Sequence, residues 1–233
     1  MKQKKLKFST NENPVKSKTK CVIFSKKARA RVNISPVKLN GDDLHWVDEV
    51  KHLGNILEFN NSMRRDISVK RGKFIGKLNS LSQEFFFTNP ATFIKILNIY
   101  TVSFYGSGLW DLFSGDCDRL YAAWNVAVRQ AWDVPYRTHR YLIEMISGAL
   151  HPKVMLASRY SGFVSSLLTS TKYHVRVLAR LCVNDQRTVM GHSLSQICRE
   201  TGLARWDPSK LSPAFVKKKM KYSDVPPDEH WRT

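Results

Sequence analysis

The sequence predicts an α+β fold that is mainly α, with short N-terminal β-hairpins followed by a helical bundle. Three stretches carry that expectation. Glu49 to Leu57, EVKHLGNIL, sets Val50, Leu53, Ile56 and Leu57 around a single Gly54. It reads as two extended arms hinged at a tight bend, because glycine alone turns a strand there without strain. Val37 to Trp46 reads as a second pair of short extended pieces around Asn40-Gly41, a strong hairpin signal. From Arg64 to Phe85 the period changes: Ile67, Phe74, Leu78, Leu81 and Phe85 recur at helical spacing.

At 233 residues, with 42% hydrophobic and 11% aromatic content, the chain can bury a core and reads as a globular body of one or two parts. The 38 Lys and Arg face 19 Asp and Glu, a formal net charge of +19. That excess points to a polyanionic partner, RNA or DNA, against the plainer reading of a basic but merely soluble or ribosomal-type surface. Cys21, Cys117, Cys182 and Cys198 are too scattered to suggest a disulfide framework or a zinc site, which fits a reducing compartment, nucleus or cytoplasm, and not secretion. The N-terminal MKQKKLKF lacks the apolar core of a signal peptide, and its KQKKLK run reads as a solvated arm or a nuclear import signal. No stretch reaches the about 18 apolar residues of a membrane span, so no membrane association is expected.

Residues 1–40 hold 12 Lys and Arg against one acid, Glu12, and so carry +11 of the +19. Within them CVIFS, Cys21 to Ser25, reads as a buried strand. The Asn13-Pro14 turn leaves Lys16 and Lys18 just ahead of it, where the ordinary reading is a pair of solvated lysines. Asp42-Asp43 has the form of a metal-holding carboxylate pair, yet it follows directly on Asn-Gly and reads as turn and solvent-facing charge. Beside the apolar face after Arg64, Lys70, Lys73 and Lys77 fall on one stripe, along which a phosphate backbone can lie.

The remainder reads as helical. Asn89-Pro90 is a cap and first-turn pair; Phe93, Leu97, Tyr100 and Phe104 form an apolar stripe ending at Gly106 and Gly108. Leu120, Trp124, Val128 and Ala131 mark the next helix, which Asp133 to Pro135 stops. Further helices are expected over Arg140 to Ile146, Lys153 to Thr169, Tyr173 to Val183 and Val189 to Thr201, with His139 either capping the first, the favoured reading, or touching a phosphate. Their aromatics are expected in the core. Asp207 to Thr233 mixes four prolines with Lys217 to Lys219 and reads as a basic, poorly ordered tail. No Ser, His and Asp set, Cys and His pair or glycine-rich phosphate loop has convincing spacing.

LGNIL with its preceding Lys-His resembles the primer-grip hairpin of non-LTR (LINE-type) retrotransposon reverse transcriptases, and the charged helix after it resembles the start of their thumb. NPVKSKTKCVIF at Asn13 to Phe24, SFYGSGLWDLFS at Ser103 to Ser114 and WNVAVRQAWDVPYRTHRYLI at Trp124 to Ile143 fit the same family in the same order. The resemblance covers Phe8 to about Gly202. It implies a partial palm with the grip-like hairpin over 1–60, thumb-like helices over 61–115, a helical post-thumb region over 116–206 and a tail over 207–233. Lys16 then corresponds to a palm lysine beside the incoming nucleotide, where it would neutralise, or donate a proton to, a leaving pyrophosphate. No F/Y-x-D-D motif is present. The expected role is a truncated fragment of an RNA-directed DNA polymerase that binds template-primer RNA or DNA and does not polymerise alone; the other reading is a free-standing, non-enzymatic nucleic-acid-binding helical module. The expected nucleic-acid contacts are Lys16, Lys18, His52, Leu53, Gly54, Lys70, Lys73 and Lys77. No catalytic or metal-binding residue is expected in this chain, and no cofactor, although the intact family enzyme would use Mg2+. An upstream polymerase part is a further implied partner.

Overall fold

In a computed structural model of the chain, the described residues are 19–25, 34–35, 37–39, 41–85, 88–101, 104–204, 206–207 and 210–221. They form two compact units, Met1–Asp66 and Ile67–Thr233. The architecture is α+β and mainly α, with two antiparallel strand pairs ahead of eight described α-helices.

In the first unit β1 (Lys38–Leu39) pairs with β2 (Asp42–Asp43), Lys38 opposite Asp43. β3 (Glu49–His52) pairs with β4 (Asn55–Glu58), Glu49 opposite Glu58 and His52 opposite Asn55. Both hairpins stand where the turn chemistry placed them. CVIFS does not become a buried strand: Cys21 alone bridges to Trp46, its N–H donating to the His45 carbonyl at 3.0 Å while its own carbonyl accepts from Val47 N–H at 3.0 Å. Phe24 is half exposed. At the other end of the run Ser25 N–H donates to the Phe59 carbonyl at 2.8 Å, so the segment is held at both ends without joining a ladder.

The helix α1 (Arg64–Glu84) starts at the end of the first unit and continues into the second. Asp66 in its first turn accepts from Ile56 N–H at 3.0 Å, so a carboxylate at the positive helix end also secures β4. Ile67, Phe74 and Leu78 are buried as the period required. Asn89 Oδ1 accepts from Ala91 N–H at 2.9 Å and starts α2 (Pro90–Thr101). Its buried face is Phe93, Ile94, Leu97 and Thr101; Tyr100 points outward, 63% exposed, and Phe104 is buried beyond the helix end. Phe74, Phe104 and Trp110 then form a chain of rings with centroids 6.2 and 6.1 Å apart.

A short 3-10 turn (Ser107–Leu109) leads to α3 (Gly115–Ala131), capped by Ser114, with Leu120, Trp124 and Val128 buried as expected. α4 (Arg140–Ser147), α5 (Pro152–Leu168), α6 (Tyr173–Asn184) and α7 (Val189–Thr201) follow close to the expected spans. His139 occupies the N-cap position of α4 but makes no capping bond; its ring stacks on Tyr141 at 5.8 Å instead. The capping imidazole is His151, whose Nδ1 accepts from Lys153 N–H at 3.2 Å at the start of α5.

The expected poorly ordered tail is corrected over its first half. α8 (Pro213–Met220), capped by Ser212, packs on α5 and α7 and buries Val216 and Met220, with Leu211 just before it. Three apolar side chains at near-helical spacing outweigh the lysines between them, which stay exposed. Helices from both sides of residue 115 share the core of the second unit. No helix among the described residues is long and apolar enough to cross a membrane.

Candidate nucleic-acid interface

The first candidate surface is the tip of the β3–β4 hairpin. Two residues join the strands, Leu53 at φ +46° and Gly54 at φ +81°. Positive φ at both central positions is the signature of the type I′ turn, whose twist matches that of the flanking strands. Gly54 meets that demand without cost, while Leu53 is a branched side chain held in the left-handed region. Leu53 is also 72% exposed, so the strain is not offset by burial. His52 beside it is exposed, and Asn55 opposite is buried. The hairpin therefore presents an imidazole, an apolar side chain and bare backbone at its tip.

The second surface is α1. Lys70, Lys73 and Lys77 do fall on one stripe, but the stripe is not three free ammonium groups. Lys70 Nζ donates to the Tyr105 carbonyl at 2.6 Å and lies 5.2 Å from the Trp110 ring centroid. Lys77 Nζ donates to the Tyr100 carbonyl at 2.9 Å. Lys77 reaches a carbonyl in the last turn of α2, where the helix dipole and unpaired carbonyls attract cations, and Lys70 reaches a carbonyl of the loop beyond it. Lys73 remains exposed without an ion pair or hydrogen bond among the described residues, and so does Arg71. These two flank Gly72, and Gly76 follows one turn later; a methyl group added at either glycine would meet nothing within 4 Å. Arg71 is readable in the Lys70-Arg71-Gly72-Lys73 run, but it lies off the lysine stripe.

Lys16 and Lys18 lie outside the described residues. Asp42 and Asp43 are exposed neighbours on β2, and Asp43 pairs with Lys38 at 3.8 Å. Adjacent strand residues point to opposite faces, so the two carboxylates do not converge on a common metal position. Mg2+ does not fit this pair. Burial pushes the Cys117 thiol up to about 12 and raises Cys198 as well, which keeps both as thiols rather than nucleophiles. Charge is distributed over both units: Met1–Asp66 holds 15 Lys and Arg against 7 acids, and residues 67–233 hold 23 against 12.

No protein-family profile matches the chain, and comparisons with curated proteins and with solved structures return no match.

Proposed function

We propose that the chain is the C-terminal part of a LINE-type RNA-directed DNA polymerase, one that binds template-primer nucleic acid and does not polymerise by itself. The observation that carries the reading is the excess of basic residues in both units, +8 and +11, together with Arg71 and Lys73 exposed and unpaired on α1. A surface of this sign attracts phosphate irrespective of sequence. The hairpin tip supports the family assignment, since a strained, exposed Leu53 beside His52 suits a contact made by the tip rather than a role in the core. Catalytic silence follows from the lack of an F/Y-x-D-D motif and from the divergence of Asp42 and Asp43.

A second reading, a free-standing nucleic-acid-binding helical module, is favoured by α8, which closes a core that α1 to α7 leave open on the α5 and α7 side. An RNA–DNA hybrid with a recessed primer end tests both. The chain should retard the hybrid at low salt and add no nucleotide with Mg2+ or Mn2+. A hybrid that is not retarded at low salt contradicts both readings. Template-dependent extension that disappears in the Asp42→Asn, Asp43→Asn double variant contradicts catalytic silence.

A further inference from the structure

α6 packs on α5 and α7, burying Ala179, and turns a second apolar face to solvent. Tyr173, Val177 and Leu181 follow one another at steps of four along that face, with Leu178 beside them. Tyr173, Leu178 and Leu181 are 65, 62 and 63% exposed. Exposed apolar side chains scattered singly are ordinary, whereas a helix that is apolar on both faces is one that is covered on both. The rim of the stripe is basic: Lys172 and Arg180 are exposed next to it. No acidic residue occurs between Glu144 and Asp185 to offset them.

We propose that the segment 222–233 of the same chain docks on this face of α6. The segment lies outside the described residues and follows Lys221, the C-cap of α8. Its charge is the complement of the rim, because Asp224, Asp228 and Glu229 stand against Arg232 alone, a net −2 in a chain of +19. It also carries Tyr222, Val225 and Trp231, apolar groups that the Leu178 and Leu181 stripe would take out of water. The reach is sufficient. α8 and α6 both pack on α5 and α7; packed helix axes lie about 8–10 Å apart, and a segment of this length spans up to about 40 Å when extended. A second copy of the chain fits less well, since it would bring its own Lys172 and Arg180 against their like. Nucleic acid would meet the cations and leave the aliphatic side chains uncovered. The inference stands apart from the nucleic-acid reading.

The test follows leucine and valine methyl and tryptophan indole signals of the full chain by NMR. Nuclear Overhauser contacts between the Trp231 indole and the Leu178 and Leu181 methyls are expected at every protein concentration. Trp231→Ala should shift those methyls and leave the buried Val128 methyls in place. In the Leu178→Gln, Leu181→Gln double variant, which alters only exposed side chains, the Trp231 indole N–H signal should move to its position in the isolated 222–233 peptide. An indole signal that already stands there in the parent chain overturns the proposal. Contacts from Trp231 to α8 alone also overturn it, because Lys217 to Lys219 would then hold the segment by charge. So do Leu178 and Leu181 signals that, without any Trp231 contact, move with protein concentration, with added hybrid or with anionic vesicles: those results give the face to a second copy, to nucleic acid or to lipid.

Discussion

Lys77 on α1 gives its ammonium to the carbonyl of Tyr100, next to last in α2, at 2.9 Å. Lys70 does the same for Tyr105 at 2.6 Å. These bonds make two of the three aligned lysines structural. Lys70→Met should lower stability by about 1–2 kcal/mol, for a charged hydrogen bond and a ring contact at a half-exposed site. Lys77→Met, at a more exposed position, should cost about 0.5–1 kcal/mol. Lys73→Met should leave the melt unchanged. Thermal melts of the three variants decide the matter, and equal melting for Lys70→Met and Lys73→Met would show that the Tyr105 bond contributes nothing.

The hairpin tip yields a pair of opposed effects. Asn tolerates positive φ better than Leu, so Leu53→Asn should raise stability by about 1 kcal/mol. If the tip touches nucleic acid, the same variant should bind the hybrid more weakly. Gly54→Val forces a β-branched residue to φ +81° and should cost about 1–3 kcal/mol. A melt unchanged by Gly54→Val would move the bend elsewhere.

Burial lowers the pKa of His151 to about 3, with smaller contributions from the charges of Arg140 and Lys153. Its ring stands edge-on to Trp124 and Tyr121, with centroids 5.1 and 5.5 Å away. The unfolded imidazole protonates near about pH 6.5, so below that value the unfolded chain takes up a proton that the folded chain refuses. The contribution of His151 to stability is therefore complete above about pH 6.5 and falls as the pH drops toward about 3, by at most about 5 kcal/mol across the interval. The variant His151→Asn keeps a capping side chain but does not titrate. From about pH 6.5 down to about pH 4.5, where the unfolded histidine is charged, its denaturation midpoint should depend less on pH than that of the parent chain. Parallel pH profiles would contradict the assignment.

Val216 is wholly buried against the body, so Val216→Ala should cost about 1–3 kcal/mol through reduced burial and the cavity left behind. A solvated tail would give no change. Gly191 is similarly informative: a Cβ there would lie 2.3 Å from the Asp185 carbonyl oxygen, so Gly191→Ala should push α7 away from the end of α6 and lower the melting temperature.

The sequence is most legible where one local rule suffices. The LGNIL bend follows from glycine in a two-residue turn, and the α3 span follows from apolar spacing; the Ser114 cap of α3 and the Thr188 cap of α7 come to light only in the structure. It is less legible where the answer lies on another element. The helical stripe aligns Lys70 and Lys77 correctly, but the carbonyls that bind them belong to α2 and the loop after it. Leu211, Val216 and Met220 are hidden among prolines and lysines, because their partners are on α5 and α7. Local spacing puts the capping histidine at His139, although His151-Pro152, with proline in the first helical turn, is the stronger signal.

The central claim is that this basic chain binds nucleic acid through phosphate contacts that include Arg71 and Lys73. The direct measurement is a salt titration of binding to an RNA–DNA hybrid, comparing the parent chain with the Arg71→Gln, Lys73→Gln double variant. Affinity should fall linearly on a log-log plot, and the double variant should flatten the slope by up to about 1.8, at about 0.9 for each phosphate that is no longer neutralised. Preference among hybrid sequences should not change, because phosphate contacts carry no base information. Coincident slopes for two folded proteins would take α1 out of the interface, and binding that does not weaken with salt would contradict the phosphate-binding claim as a whole.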